Sequence, residues 1–194
     1  MQWLPEIGVG FLDIDPEPDL YGADYFCRYV ALDSTPMSER LNAARVDLVT
    51  RHWLGYVVDI GVGGGSFMRA HGRAAGWDVN PEAVKMLHRE NRFVDPRNGV
   101  DCVTLWDSLE HMRNPSEILR QVRSWVFVST PIYSDAHDCL MSKHFKPGEH
   151  LWYFTEPGLV AYMARLGFSL REASRVESDL GREGVGSFAF QRGA

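Results

Sequence analysis

Val57-Val58-Asp59-Ile60-Gly61-Val62-Gly63-Gly64-Gly65 is the stretch that decides the fold. A short β-branched run carries one acid and then breaks into glycines at every second position. This pattern reads as a buried strand opening into a loop that a ligand can approach closely. Glycine reaches positive φ there, and it has no Cβ to hold a ligand away from the backbone. Two common phosphate-binding loops fit poorly. The dinucleotide pattern G-x-G-x-x-G/A accommodates Gly61 and Gly63 but meets Ser66 at its third position. The nucleotide-triphosphate loop needs Gly-Lys-Ser/Thr, and no lysine occurs between Gly55 and Lys85. The loop therefore favours a ligand without phosphate.

Two further segments extend the reading. Gly76-Trp77-Asp78-Val79-Asn80-Pro81 reads as a second strand ending in an acid, followed by a helix opened by an Asn cap and a Pro in the first turn. Asp78 lies about 20 residues past the first strand, where a carboxylate can accept from both ribose hydroxyls. Val100 to Trp106 then reads as an apolar strand, with Asp107, Ser108, Leu109, Glu110 and His111 at its carboxyl end. Ligands of open α/β sheets bind at that edge.

Asp59-x-Gly61-x-Gly63-x-Gly65, the acid at Asp78 and the Leu109-Glu110-His111 triplet together resemble the class I S-adenosylmethionine-dependent methyltransferases. The resemblance covers roughly residues 55 to 170. It implies a single Rossmann-like α/β domain: a doubly wound, mainly parallel sheet with helices on both faces and an N-terminal helical cover. It implies S-adenosylmethionine as cofactor and S-adenosylhomocysteine as product. Asp59, Gly61, Gly63 and Gly65 are expected at the methionine end and Asp78 at the ribose. Val79, Trp106 and Asp107 are expected beside the cofactor, with Tyr25 reaching the methionine end from the cover. A family member that has lost catalysis is the alternative, and an NAD-dependent oxidoreductase is disfavoured by Ser66.

The rest of the chain is read around this core. Residues 1–20, rich in Pro, Asp and Glu, read as an extended lead-in. The cover spans 21–53 in two helical pieces broken near Asp33-Ser34-Thr35-Pro36, with Tyr21, Tyr25, Phe26 and Tyr29 as an aromatic stripe. Residues 54–194 form the core. Strands are expected near 56–60, 75–78, 100–106, 124–129, 168–176 and 184–191, and helices near 65–74, 81–91, 115–123 and 156–166. The alternation of the two argues for a parallel sheet. Between Arg92 and Gly99 the chain is short and holds Pro96, so the family's third strand is expected to be reduced or absent.

Methyl transfer is a displacement at a sulfonium carbon, and positioning is its main demand. Some acceptors also need a base, for which histidine is suited. His111, after the strand that ends at Trp106, and His150, in the long segment from Tyr133 to Phe154, are the two candidates. That segment also carries His137, His144, Trp152 and Tyr153. Asp107-x-x-Glu110-His111 resembles the Glu-x-x-Glu-His cluster of metal-assisted O-methyltransferases, with Asp shortening the reach at the first position. No metal ion is assigned on this basis. The acceptor is read as an oxygen or nitrogen of a small or tethered molecule, selected by residues 1–50 and 131–155.

Composition narrows the partners. A net charge of −6, with basic residues scattered, does not indicate a nucleic-acid partner. No apolar run approaches a membrane span, and the N-terminus has no basic region before an apolar run. Cys27, Cys102 and Cys139 are far apart and odd in number, which suits a reducing, cytoplasmic setting.

Overall fold

The computed structural model describes residues 1–14 and 22–193. Tyr21 and residues 15–20 of the lead-in lie outside the described residues. At the centre is a six-stranded sheet. Its strands are β3 (Val57–Ile60), β4 (Ala74–Trp77), β5 (Val100–Trp106), β6 (Val122–Pro131), β8 (Phe168–Ser174) and β9 (Val185–Arg192). Their order is β4-β3-β5-β6-β9-β8. β4, β3, β5 and β6 run parallel, and β9 is antiparallel to both of its neighbours. The order reverses between β3 and β5, which leaves a crevice at their carboxyl ends.

The expected third strand is reduced to one parallel bridge between Phe93 and Gly76, as the short Pro-bearing segment implies. The cover forms as expected in two pieces, α1 (Ala23–Asp33) and α2 (Pro36–His52). Thr35 caps α2 by accepting from the Ser38 N–H at 3.2 Å. α3 (Ser66–His71) follows the glycine loop and stops at Gly72, whose φ is 79°. α4 (Pro81–Arg89) opens on the Asn80 cap, which accepts from the Glu82 N–H at 2.9 Å. α5 (Pro115–Leu119) is shorter than expected, because the chain enters β6 at Val122. α7 (Glu156–Arg165) opens on Thr155, and the short α8 (Val176–Asp179) precedes β9.

Strand alternation divides the core between the two faces of the sheet. Val58, Ile60, Val103, Leu105, Val126 and Val128 pack with Leu119, Leu159 and Met163 on one face. Val57, Cys102, Trp106 and Phe127 pack with Leu48, Val49, Phe67 and Met68 on the other. The polar residues that share this second face through the same alternation are Asp59, Thr104 and Ser129.

The lead-in departs from its expected extended form. β1 (Gln2–Leu4) and β2 (Val9–Phe11) make an antiparallel hairpin, and β2 pairs with β7 (Trp152–Phe154). Apolar residues drive this, since Trp3 and Leu12 pack against buried Tyr133, Cys139 and Tyr153. The segment from Tyr133 to Phe154, with α6 (Ala136–Met141), is thereby tied between the main sheet and this small one.

Candidate active site

The glycine loop sits at the crevice. Gly61, Gly63 and Gly65 have φ of 79°, 53° and 84°, a region that side chains rarely adopt. Gly61 is also constrained by space, since a Cβ there would lie 2.3 Å from Ser108 Oγ. Its N–H donates to the Trp77 carbonyl at 2.9 Å, which holds the loop to the end of β4. α1 lies across the loop: the Tyr29 ring would be 3.4 Å from a Cβ on Gly63. Tyr25 lies beside Tyr29, with ring centroids 4.7 Å apart and its hydroxyl donating to the Tyr29 hydroxyl at 3.1 Å. Asp33, at the end of α1, accepts from both the Ser66 N–H and its hydroxyl, at 3.1 and 2.7 Å.

Asp78 lies at the end of β4 with its carboxylate against the loop. It accepts from the Asn80 N–H at 2.8 Å, and the Gly63 and Val62 N–H groups also face it. Burial still raises its carboxyl above the ordinary value. Val79, next to it, is exposed. Asp59 is placed differently. It is buried in the sheet and accepts from the Thr104 hydroxyl at 2.7 Å. Burial pushes its carboxyl up to about 7, against the Thr104 hydrogen bond and the Arg45 charge. Its carboxylate thus faces β5 rather than the surface of the loop.

Past β5 the chain divides two polar groups. Trp106 is buried, edge-on to Phe67, with the Arg45 guanidinium 5.1 Å above its ring. Its Nε1 has no hydrogen-bond partner among the described residues. Asp107 follows at φ 53° and is clamped by two arginines. Arg182 donates to both of its oxygens at 2.7 Å, and Arg45 donates to one at 3.1 Å. The same two arginines bind the buried Glu177. Burial would raise the Asp107 carboxyl, but Arg182 and Arg45 hold it below its ordinary value. The metal-like grouping of Asp107 with Glu110 and His111 is thus not what the structure assembles, because the Asp107 oxygens already meet guanidinium donors.

Glu110 and His111 instead meet His150. One donor atom from each lies within 4.8 Å of the others. The two imidazoles are edge to face, with centroids 4.6 Å apart. Glu110 is 1% exposed, and its Oε2 has no partner among the described residues. Burial, then the Asp107 charge, pushes its carboxyl up to about 8. Burial lowers His111, and burial with the neighbouring His111 pushes His150 down to about 3. Both rings are therefore neutral at pH 7. The Glu149 carbonyl faces the His111 ring, and the buried Nδ1 has no partner among the described residues. Buried polar atoms are normally satisfied, so the unpartnered Glu110 Oε2 and His111 Nδ1, brought together at the carboxyl end of β5, are exceptions within the described residues.

The other histidines of the long segment stay apart. His144 Nε2 lies 2.8 Å from the Glu183 carbonyl, and His137 is exposed on α6. Trp152 pins the segment through its Nε1, which donates to the Met112 carbonyl at 2.9 Å. No local pattern in the sequence marks Glu177 or Arg182. One signal was available for Arg45, which shares a helical stripe with buried Asn42 and Val49, where a charge needs a partner.

The comparisons agree with this geometry. A family model described as "Methyltransferase domain" matches residues 24–173. A putative methyltransferase of Haloferax volcanii, solved in complex with the Trm112 activator, superposes with a TM-score of 0.63 at 16% identity. That alignment covers 88% of this chain and 97% of the other. The 1,6-didemethyltoxoflavin-N1-methyltransferase of Burkholderia thailandensis, solved with S-adenosylhomocysteine, gives 0.61 at 16% identity, covering 96% and 95%. Magnesium protoporphyrin IX methyltransferase of Synechocystis, also solved with S-adenosylhomocysteine, gives 0.58 at 15%, covering 90% and 97%. No curated protein matches the sequence significantly. The glycine crevice, the strand order and the family match over most of the chain lead to one conclusion: it belongs to the class I S-adenosylmethionine-dependent methyltransferases.

Proposed function

We propose that the chain transfers the S-adenosylmethionine methyl group to an oxygen or nitrogen of a small or tethered acceptor seated at Glu110, His111 and His150. The convergence of these three side chains beyond the turn after β5 carries the reading. Gly61, Gly63 and Gly65 admit the methionine end, and Asp78 meets the ribose hydroxyls. Val79, Trp106, Asp107 and Tyr25 border the cofactor, and Asp59 supports the loop from within the sheet. His111 takes the acceptor proton at Nδ1 as the nucleophile attacks, and His150 fixes the ring's orientation. The neutral state of both rings suits this step. We place the protein in the cytoplasm, since Cys27, Cys102 and Cys139 are all free thiols.

The experiment is a labelled-methyl screen over metabolites, sugars, peptides and nucleic acids, repeated with His111→Ala. Loss of transfer by about 10²–10⁴-fold, with S-adenosylhomocysteine affinity retained, is the expected result. Transfer within threefold of wild type would remove His111 from proton transfer.

A second reading is favoured by the same donor set. One carboxylate and two imidazoles, buried and partly unpartnered, fit a divalent cation of the zinc, manganese or iron type. Such an ion would polarise an acceptor hydroxyl and lower its pKa. Glu110, His111 and His150 would hold it, and Asp107 would stay with its arginines. Chelation followed by metal add-back tests this directly. Transfer that survives chelation unchanged rejects the ion.

A further inference from the structure

The residue before β7 links three parts of the molecule. Leu151 donates its N–H to the Glu110 carbonyl at 2.7 Å, and its own carbonyl accepts from the Leu12 N–H at 2.9 Å. On one side it is held by the turn that bears Glu110 and His111. On the other it is held by the end of the N-terminal hairpin. The pairing continues as Phe11 with Trp152, Gly10 with Tyr153 and Val9 with Phe154. Tyr153 is buried, and its hydroxyl donates to the His150 carbonyl at 2.9 Å. The hairpin in turn is closed by Trp3 lying against Gly10, where a Cβ would come within 2.6 Å of the indole. A continuous set of hydrogen bonds thus runs from the hairpin through Leu151 to the backbone of Glu110.

This hairpin precedes the residues matched by the family model, which begin at 24. It makes no strand pairing with the glycine-loop side of the main sheet, and its partner is β7. Among the described residues it packs on β7, on the start of α7 through the Gly8 carbonyl and Thr155, on the Tyr133–Tyr153 cluster, and through Val9 on the main core.

We propose that the N-terminal hairpin, residues 2–12, is a positioning element of the acceptor site, fixing His150 against Glu110 and His111. It rests on the reading of that cluster as the acceptor-side chemistry. The hairpin is dispensable for cofactor binding and required for the imidazole pair. Leu12 and Gly10 are its sensitive positions: Leu12 supplies the N–H that holds Leu151, and Gly10 leaves the space that Trp3 occupies.

Two variants of the full chain test this. Leu12→Pro removes the N–H, and Gly10→Val displaces Trp3. In the wild-type protein, ring protons of His111 and His150 should show a nuclear Overhauser cross-peak, and the Leu151 amide should exchange slowly. In both variants the cross-peak should vanish and Leu151 exchange should accelerate at least tenfold. S-adenosylhomocysteine affinity by calorimetry should stay within twofold of wild type. Leu12→Ala keeps the N–H and should retain the cross-peak. A cross-peak and slow exchange that persist in both variants would overturn the proposal, as would its absence from the wild type. A fall in cofactor affinity of tenfold or more in both variants would also overturn it, since the hairpin would then support the whole domain. These readouts need no acceptor. If His111→Ala leaves methyl transfer intact, the base assignment falls while the placement of His150 is still decided by the spectra.

Discussion

Removing the positive charge of Arg182 tests whether the clamp on Asp107 holds the end of β5 in place. Arg182→Met keeps the side chain's length and leaves Asp107 and Glu177 sharing Arg45 alone. The four side chains balance at two charges of each sign, so the variant leaves one uncompensated negative charge. Breaking a buried ion pair costs about 3–5 kcal/mol. The Arg182 and Asp107 side chains are 26% and 29% exposed, so water recovers part of that cost. Glu177 is fully buried and recovers none. The lower end, about 3 kcal/mol, is therefore expected, or roughly a hundredfold in the folding equilibrium. Urea unfolding at pH 7 measures it, and the part of the loss carried by fully buried Glu177 should change little between low and high salt. Adding Glu177→Gln restores a one-to-one balance between Arg45 and Asp107. The double variant should be at least about 1 kcal/mol more stable than the sum of the single losses predicts. A single loss under about 1 kcal/mol, or strict additivity in the double variant, would refute the idea that these four groups act as one unit.

Other positions give separate tests. Burial pushes the Asp59 carboxyl up to about 7 in the fold against 3.8 ordinarily, so the native state holds its proton more tightly than the unfolded chain. Its contribution is present below pH 4 and is lost as pH rises through 7. Asp59→Asn should therefore gain about 2–4 kcal/mol relative to wild type between pH 4.5 and 8. A difference that stays constant across that range would show Asp59 to be solvated. Gly61→Ala forces a side chain to positive φ and against Ser108, and should cost about 2 kcal/mol by thermal or urea unfolding. Wild-type stability in that variant would mean the loop bends freely. Asp78→Ala should weaken S-adenosylhomocysteine about 10–100-fold by calorimetry, the worth of hydrogen bonds to a charged acceptor. An unchanged affinity would take Asp78 out of the ribose site.

The elements that the sequence resolved are those with a local cause. Val57–Ile60 is β-branched and ends in glycines, Asn80-Pro81 opens a helix, and Thr35-Pro36 divides two helices, so each boundary is written in adjacent residues. The reduced third strand was equally legible, since Pro96 and a short segment leave no room for more than the Phe93 bridge. The N-terminal hairpin was not. Its strands have three residues each, with Pro5 and Gly8 between them, and nothing local distinguishes them from a loop. They exist because β7, more than 140 positions later, offers an edge and Tyr153 offers an apolar floor. The arginine clamp is equally non-local, joining positions 45, 107, 177 and 182. His111 and His150 were each visible as base candidates, and Glu110 only as part of the Glu-x-x-Glu-His resemblance. Their meeting was not, because the hairpin and Leu151 make it.

The two polar groups at the end of β5 follow from alternation along the strands. Thr104 and Trp106 point to the face covered by α2 and α3, where Arg45 arrives from α2. Val103 and Leu105 point to the other face, which packs against Phe154 of β7. As the chain leaves β5 it turns at Asp107, with φ at 53°, and then enters the Leu109–His111 turn. Asp107 is left with the arginines of the α2 side, and Glu110 with the histidines of the β7 side. A carboxylate beside two guanidiniums is held ionised, and one without a cation is held neutral or awaits one. Two acids three residues apart thus acquire opposite electrostatic states, the first held below its ordinary value by Arg182 and Arg45 and the second pushed above it by burial.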